Sequence, residues 1–197
     1  MFRLRPRSDS TTQAVARQKS EQIIASIPET LIDRVRKFTA AVPRSSDPTD
    51  ALLSRLYQLT DEVNSYIAPK AACGKGCSHC CYIRVPITDI EAAFITKNTK
   101  IPHTKVRSSA EPPTNFYSKS TPCALLASNG TCSVYSTRPF SCRTYNNIDD
   151  DEWYCRVENW DVKNRPMFGL KPLDEAYKAI CNRKASVQTD IRKFFPN

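Results

Sequence analysis

Four cysteines stand within nine residues, Cys73, Cys77, Cys80 and Cys81, in the run Cys-Gly-Lys-Gly-Cys-Ser-His-Cys-Cys. Thiolate sulfur is a soft donor, and sulfurs at such short spacings suit zinc or an iron–sulfur cluster. Two intervening residues, as between Cys77 and Cys80, let one turn direct two sulfurs at one ion. Three, as between Cys73 and Cys77, do the same on a helical turn. Cys80 and Cys81 are adjacent and share one metal only under strain, so the block points to two centres or to one bulky polynuclear cluster. Gly74 and Gly76 allow the tight backbone that brings amides close to sulfur. His79 could replace a sulfur, but with nine cysteines available a solvent-facing side chain is the simpler reading.

More donors follow at Cys123, Cys132 and Cys142, with eight and nine residues between them. These spacings are too wide for a local knuckle. The distal sulfurs reach the first block only through folding, which couples metal binding to folding of the middle of the chain. Arg138 and Arg143 bracket Cys142. They are candidates to donate hydrogen bonds to metal-bound sulfur, and equally they could be ordinary surface arginines. Cys181 falls on a helical stripe and reads as a small buried apolar residue. Trp153, Tyr154 and Trp160 flank Cys155 and read as packing, and no role is assigned to His103.

The spacing Cys-x₃-Cys-x₂-Cys at 73, 77 and 80 matches that by which radical S-adenosylmethionine enzymes hold a four-iron cluster. Such enzymes build on a (β/α) barrel of roughly 200 residues or more. This chain has 197 residues, only four glycines and no alternating strand–helix run, which argues against a full barrel. It also offers no serine–histidine–acid set, phosphate-cradling glycine loop or paired catalytic carboxylates.

Nine cysteines without an apolar h-region at the N-terminus imply a reducing, cytoplasmic setting, where structural disulfides are rare. The odd count and the adjacent pair also argue against a fully bridged framework. Mean hydropathy is −0.49, and no apolar run approaches the ~18 residues of a membrane span. The net charge of +9 raises nucleic acid as a partner. The excess, however, is concentrated in residues 73–142, with eight basic against three acidic groups, where formal counting treats thiols as neutral. Metal-bound thiolates would cancel much of it, so the charge argues against a nucleic-acid partner. No protein partner can be named.

The elements that must position these sulfurs are mainly helical. Residues 1–20 read as a basic flexible tail and residues 21–197 as a single domain. Within it, residues 21–70 form a helical part: Ile23, Ile24 and Ile27, then Leu31, Ile32, Val35 and Phe38, recur at helical spacing. Pro28 suits the first turn of a second helix. A third opens at Asp47-Pro48, carries Leu52, Leu53, Leu56, Leu59, Val63 and Ile67, and ends at Pro69. Residues 71–156 form an irregular cysteine-cluster core. Within it residues 82–88 lean to β, Thr88-Asp-Ile-Glu91 is a capping box for a helix to about Asn98, and residues 100–121 read as a long loop. Residues 172–195 carry a C-terminal helix on Leu173, Ala176, Tyr177, Ile180, Val187, Ile191 and Phe194, with a break possible near Ser186. The fold class is thus a small, mainly α domain with an irregular cysteine-rich centre.

Taken together, CGKGCSHCC and CALLASNGTCSVYSTRPFSCR resemble the bacterial YkgJ-like cysteine-cluster family, a zinc- or iron-chelating domain. The resemblance rests on Cys-x-x-Cys-Cys at 77, 80 and 81, on Cys123 with Leu125 and Leu126, and on Cys-x-x-Tyr-x-x-Arg-Pro-x-x-Cys-Arg from Cys132 to Arg143. Asn147, Asp149 and Cys155 look like the usual continuation. Pro122 is in place, whereas Ala124 stands where an aromatic is common. The resemblance implies eight ligands: Cys73, Cys77, Cys80, Cys81, Cys123, Cys132, Cys142 and Cys155. A similar block occurs in flagellin lysine methylases, which are much longer. The expected function is metal binding, by zinc or an iron–sulfur cluster, with a slight lean to iron because a bulky cluster suits the adjacent pair. The alternatives are a redox or S-adenosylmethionine-dependent enzyme using that cluster, and a zinc-stapled nucleic-acid module.

Overall fold

The computed structural model of the chain describes residues 10–74, 76–107, 109–110, 117, 120–159, 162, 164–184 and 186–196. Residues 1–9 of the expected tail, and Trp160, lie outside them. Among the described residues there are seven α-helices and only short strands.

Helix α1, Ser10–Ser26, runs through the second half of the segment expected as tail. Ile23 and Ile27 are buried and begin the core, while Ile24, counted in the same stripe, is exposed. Helix α2, Glu29–Ala41, starts one residue after Pro28. Pro28 is not inside the first turn: its ψ of 136° keeps it extended, and its carbonyl accepts from the Leu31 and Ile32 N–H groups. Helix α3, Thr49–Ile67, likewise begins after Pro48, which occupies the cap position expected for Asp47. In both helices proline supplies the first acceptor without needing a donor of its own. The stripe from Leu52 to Ile67 is buried as expected, joined by Tyr57 and Thr60, and α3 gives way to a 3₁₀ turn, Ala68–Lys70, that contains Pro69.

Strand β1, Pro86–Thr88, leads into helix α4, Asp89–Thr99. The capping box forms: the Glu91 N–H donates to Thr88 Oγ1 at 3.3 Å, and the Thr88 N–H donates to Glu91 Oε2 at 3.0 Å. Lys100, at φ 67°, ends α4 in the left-handed region. Short helix α5, Phe140–Thr144, precedes strand β2, Asn146–Asn147, which pairs antiparallel with β3, Met167–Phe168.

The C-terminal segment departs from the single helix expected over 172–195. It divides into helix α6, Lys171–Cys181, strand β4, Gln188–Asp190, and the one-turn helix α7, Ile191–Phe194. Residues 188–190 pair antiparallel with β1 in the register Pro86–Asp190, Ile87–Thr189 and Thr88–Gln188. The inter-strand bonds override the helical periodicity of Val187, Ile191 and Phe194, a tertiary effect on a locally ambiguous stretch. The interruption does fall in the region of Ser186.

Two apolar clusters result. The first gathers α1, α2, α3 and α6 around Leu53, Leu56 and Ile180. The second joins β1, α4 and α7 to the cysteine-bearing loop through Ile87, Ile95, Leu125 and Phe194. Leu53→Ala is expected to destabilise the protein by about 3 kcal/mol, since this fully buried side chain would leave a cavity in a helix–helix contact. A lower denaturant midpoint at unchanged slope is the readout.

Candidate metal centre

Three stretches of chain bring the cysteines together. The first leaves α3 and is pinned at once by an Ala72 N–H bond to the Asn147 carbonyl, 2.8 Å long. Gly76, at φ 92°, makes the turn that carries Cys77. Cys80 and Cys81 follow on a 3₁₀ turn, His79–Tyr82, where the Cys81 N–H donates to the Ser78 carbonyl at 2.9 Å.

The second stretch docks directly on the first. The Cys123 N–H donates to the Cys81 carbonyl at 2.7 Å. Leu126 and Cys132 then form an antiparallel bridge across a turn at Gly130, whose φ of 79° suits glycine. Cys142 sits on α5, where the Ser141 hydroxyl donates to the Pro86 carbonyl at 2.6 Å. The third stretch is anchored by Asn147: its side-chain amide donates to the Asp151 carbonyl at 2.8 Å, and Asp151 Oδ1 accepts from the Trp153 N–H at 2.9 Å, which sets the turn that carries Cys155.

All nine cysteines are free thiols. Cys73, Cys77, Cys80, Cys142 and Cys155 line one cavity of about 300 Å³, with Arg138 in its wall. Cys81, Cys132 and Cys142 pack against the second apolar cluster, which includes Cys123. Cys181 lies apart on α6 and packs against the first cluster, in keeping with its apolar reading. His79 is half-buried and faces a different cavity, of about 580 Å³, with Ser78, Tyr82, Trp153 and Arg156. His103 Nδ1 pairs with the Thr96 hydroxyl at 2.8 Å.

The sulfurs gather without forming a closed shell. Among the described residues, no three His, Cys, Asp or Glu side chains already stand as a group able to hold a metal ion. The Cys73 thiol donates to the Tyr145 carbonyl at 3.5 Å and accepts from the Asn147 N–H at 3.4 Å. Contact between the Cys73 and Cys155 thiols lowers the first and raises the second, so the pair favours a single shared proton. Cys80 is pushed up by its neighbour Cys81 and by burial. Burial raises Cys132 and Cys142 and takes Cys123 to about 11. Cys80, Cys123, Cys132, Cys142 and Cys155 therefore hold their protons more tightly than a free thiol, and an entering cation would stabilise their thiolates.

The donor set fits such a cation chemically. It is soft, anionic when deprotonated, and sufficient for tetrahedral coordination. Arg138 adds a second indication, because its Nε is buried and has no hydrogen-bond partner among the described residues. Its charge favours thiolate at Cys73 and Cys132.

Arg143 does something other than donate to sulfur. Only 2 % exposed, its guanidinium bonds the Arg138 carbonyl at 2.8 Å, the Ser136 carbonyl and the Asp61 carboxylate, and it stacks over the Tyr57 ring at 4.4 Å. It fixes the loop before Cys142 against α3. Two further residues escaped sequence reading, Asp190 and Arg192. Arg192 Nη2 donates to the Cys81 carbonyl at 2.7 Å and Nε to the Thr121 carbonyl at 3.0 Å. Nothing local to the C-terminal segment, 111 residues from Cys81, could have revealed that contact.

Thiols converging from three remote stretches on a helical framework define a cysteine-cluster, metal-chelating domain. Residues 72–165 match the CxxCxxCC family model, described as "Putative zinc- or iron-chelating domain". The span holds the eight clustered cysteines and excludes Cys181, Asp190 and Arg192. Comparison with curated proteins and with solved structures found no match. Among the described residues, no helix is long and apolar enough to cross a membrane.

Proposed function

We propose that the protein holds zinc or an iron–sulfur centre on Cys73, Cys77, Cys80, Cys81, Cys123, Cys132, Cys142 and Cys155, in a reducing compartment that keeps the thiols free. The observation that carries this reading is the single cavity walled by five cysteines drawn from residues 73–80, 142 and 155. Thiols raised by burial, beside a half-buried arginine whose buried Nε–H is unused, make a setting that a bound cation would stabilise. Binding deprotonates and draws in the sulfurs, so part of the free energy of binding appears as stability of the middle of the chain. Arg138 is the residue placed to offset thiolate charge.

Elemental analysis of protein purified without oxygen tests the reading. Zinc or iron is expected in stoichiometric amount, and its removal by a chelator is expected to lower the melting temperature. Protein that contains neither metal, and takes up neither when the reduced chain is exposed to Zn²⁺ or to Fe²⁺ with sulfide, sinks it. Absorbance from sulfide-to-iron charge transfer marks the iron–sulfur form, and its absence in metal-loaded protein marks zinc.

A further inference from the structure

We propose, resting on the metal-binding reading above, that the eight cysteines divide into two four-sulfur centres that meet at the Cys80–Cys81 peptide. Cys73, Cys77, Cys80 and Cys155 form one, and Cys81, Cys123, Cys132 and Cys142 form the other.

The division begins at the 3₁₀ turn His79–Tyr82. With 3.0 residues per turn, neighbouring side chains leave such a turn about 120° apart. Cys80 faces the cavity it shares with Cys73, Cys77 and Cys155, while Cys81 is not part of that wall and packs against the second apolar cluster, the two thiols touching where the sets meet. Strain that forbids one ion from taking both sulfurs is absent when each sulfur serves its own centre.

Each set has its own backbone scaffold. For the first, Asn147 accepts from the Ala72 N–H, donates its own N–H to Cys73 Sγ, and holds through Asp151 the turn that carries Cys155. For the second, Cys123 hangs from the Cys81 carbonyl, and the bridge between Leu126 and Cys132 folds the hairpin back, with the Ser133 N–H bonding the Leu125 carbonyl at 2.9 Å. Cys142 borders both groups, since it touches the cavity and packs with Cys81 and Cys132. Tetrahedral closure decides its place: the first set already has four sulfurs, and the second has three without it. Arg138 lines the cavity of the first set, and Arg192 bonds the Cys81 carbonyl of the second. Two dications on eight thiolates leave a net charge of −4, which the five-charge surplus in the sequence of residues 73–142 opposes.

The test uses the full chain, reduced and loaded with Zn²⁺, or with Fe²⁺ and sulfide if that is the form isolated. Cys77→Ser alters an exposed residue and Cys132→Ser a half-buried one at the edge of the second apolar cluster, so neither replaces a fully buried side chain. Each variant is expected to keep half of the metal bound by the unaltered protein. Alkylation mapped by mass spectrometry is expected to label Cys73, Cys80 and Cys155 in Cys77→Ser and leave Cys81, Cys123 and Cys142 protected. Cys132→Ser is expected to give the converse pattern. Loss of all metal from either variant, with every thiol labelled and helicity retained, overturns the division in favour of one shared cluster. Full metal retention in either variant overturns the ligand assignment. Should either variant fail to fold, Cys73→Ser and Cys81→Ser carry the same expectations for their respective sets. An unaltered chain that binds no metal defeats the metal-binding reading itself, an outcome separate from these.

Discussion

Glu91→Ala is expected to cost about 4 kcal/mol of stability, because it removes the acceptor on which four helices converge. The Glu91 side chain is fully buried. Its Oε1 accepts from the Tyr57 hydroxyl at 2.8 Å and the Phe140 N–H at 2.8 Å, and its Oε2 from the Thr88 N–H at 3.0 Å and the Tyr177 hydroxyl at 2.6 Å. These donors lie on α3, at the start of α5, at the cap of α4 and on α6. Truncation strands them away from water, and each buried group left unsatisfied costs about 1–3 kcal/mol. Against a typical total of about 5–15 kcal/mol, that loss leaves a marginal fold. Glu91→Gln keeps one oxygen but points an amide N–H at donors, so it is expected to fall between the alanine variant and the unaltered protein. Denaturant unfolding followed by circular dichroism measures both, and a change below about 1 kcal/mol for Glu91→Ala would refute the role.

The same knot makes the fold sensitive to alkali. Burial, reinforced by the neighbouring carboxylate, raises both Tyr57 and Tyr177 above the ordinary phenol value. A group whose pKa is higher folded than unfolded contributes fully below the unfolded value, about 10 for tyrosine, and its contribution is lost as pH rises from there toward the folded pKa. Because Phe140 opens α5 and stacks on Tyr177 with ring centroids 4.5 Å apart, release of the knot also frees the helix that carries Cys142.

Glu91 also marks how far the sequence could be read. Its capping role was legible, since Thr88 and Glu91 are three residues apart and the box is a local motif. Its larger role was not, because Tyr57, Phe140 and Tyr177 lie 34, 49 and 86 residues away. The α3 stripe was legible for the same local reason: helical periodicity and burial coincide from Leu52 to Ile67. At the C-terminus the period of Ile180, Val187, Ile191 and Phe194 misled, because pairing of residues 188–190 with β1 is a contact across a hundred residues. In the site, residue type and spacing pointed to the two cysteine blocks and to the awkward Cys80–Cys81 pair, and the family resemblance added Cys155. They could not sort the sulfurs into sets, because which stretches meet is decided by contacts between remote segments, such as the Cys123 N–H bond to the Cys81 carbonyl. Arg143 shows the same limit: its charge suggested sulfur, but Asp61 on α3 and two carbonyls claim its donors.

Arg192→Met is expected to be nearly as damaging as Glu91→Ala and to act through the second set of cysteines. The guanidinium and Asp190 form an almost fully buried pair, with side chains 7 % and 0 % exposed and Nη1 at 3.1 and 3.2 Å from the two carboxylate oxygens. Arg192 also bonds the carbonyls of Cys81, Ile83 and Thr121, while Asp190 accepts from the N–H groups of Val85 and Arg192. One arginine thereby ties the ends of two cysteine-bearing stretches to α7. Removing it leaves a buried carboxylate without its counter-charge, a loss of about 3–5 kcal/mol. Replacing both partners, as in Asp190→Asn with Arg192→Met, removes that uncompensated charge, so the double variant is expected to be more stable than the sum of the single losses predicts. Stability alone would not separate general support of the fold from positioning of Cys81 and Cys123. Alkylation does: in Arg192→Met, under conditions where the helices persist, Cys81 and Cys123 are expected to react well before Cys73 and Cys155. Arg192→Lys keeps the charge but cannot reproduce the fork of bonds to three carbonyls, so it is expected to recover stability only in part and to leave those two thiols reactive. Equal reactivity of all four thiols in Arg192→Met would reduce the arginine to a structural ion pair with no particular hold on the cysteine site.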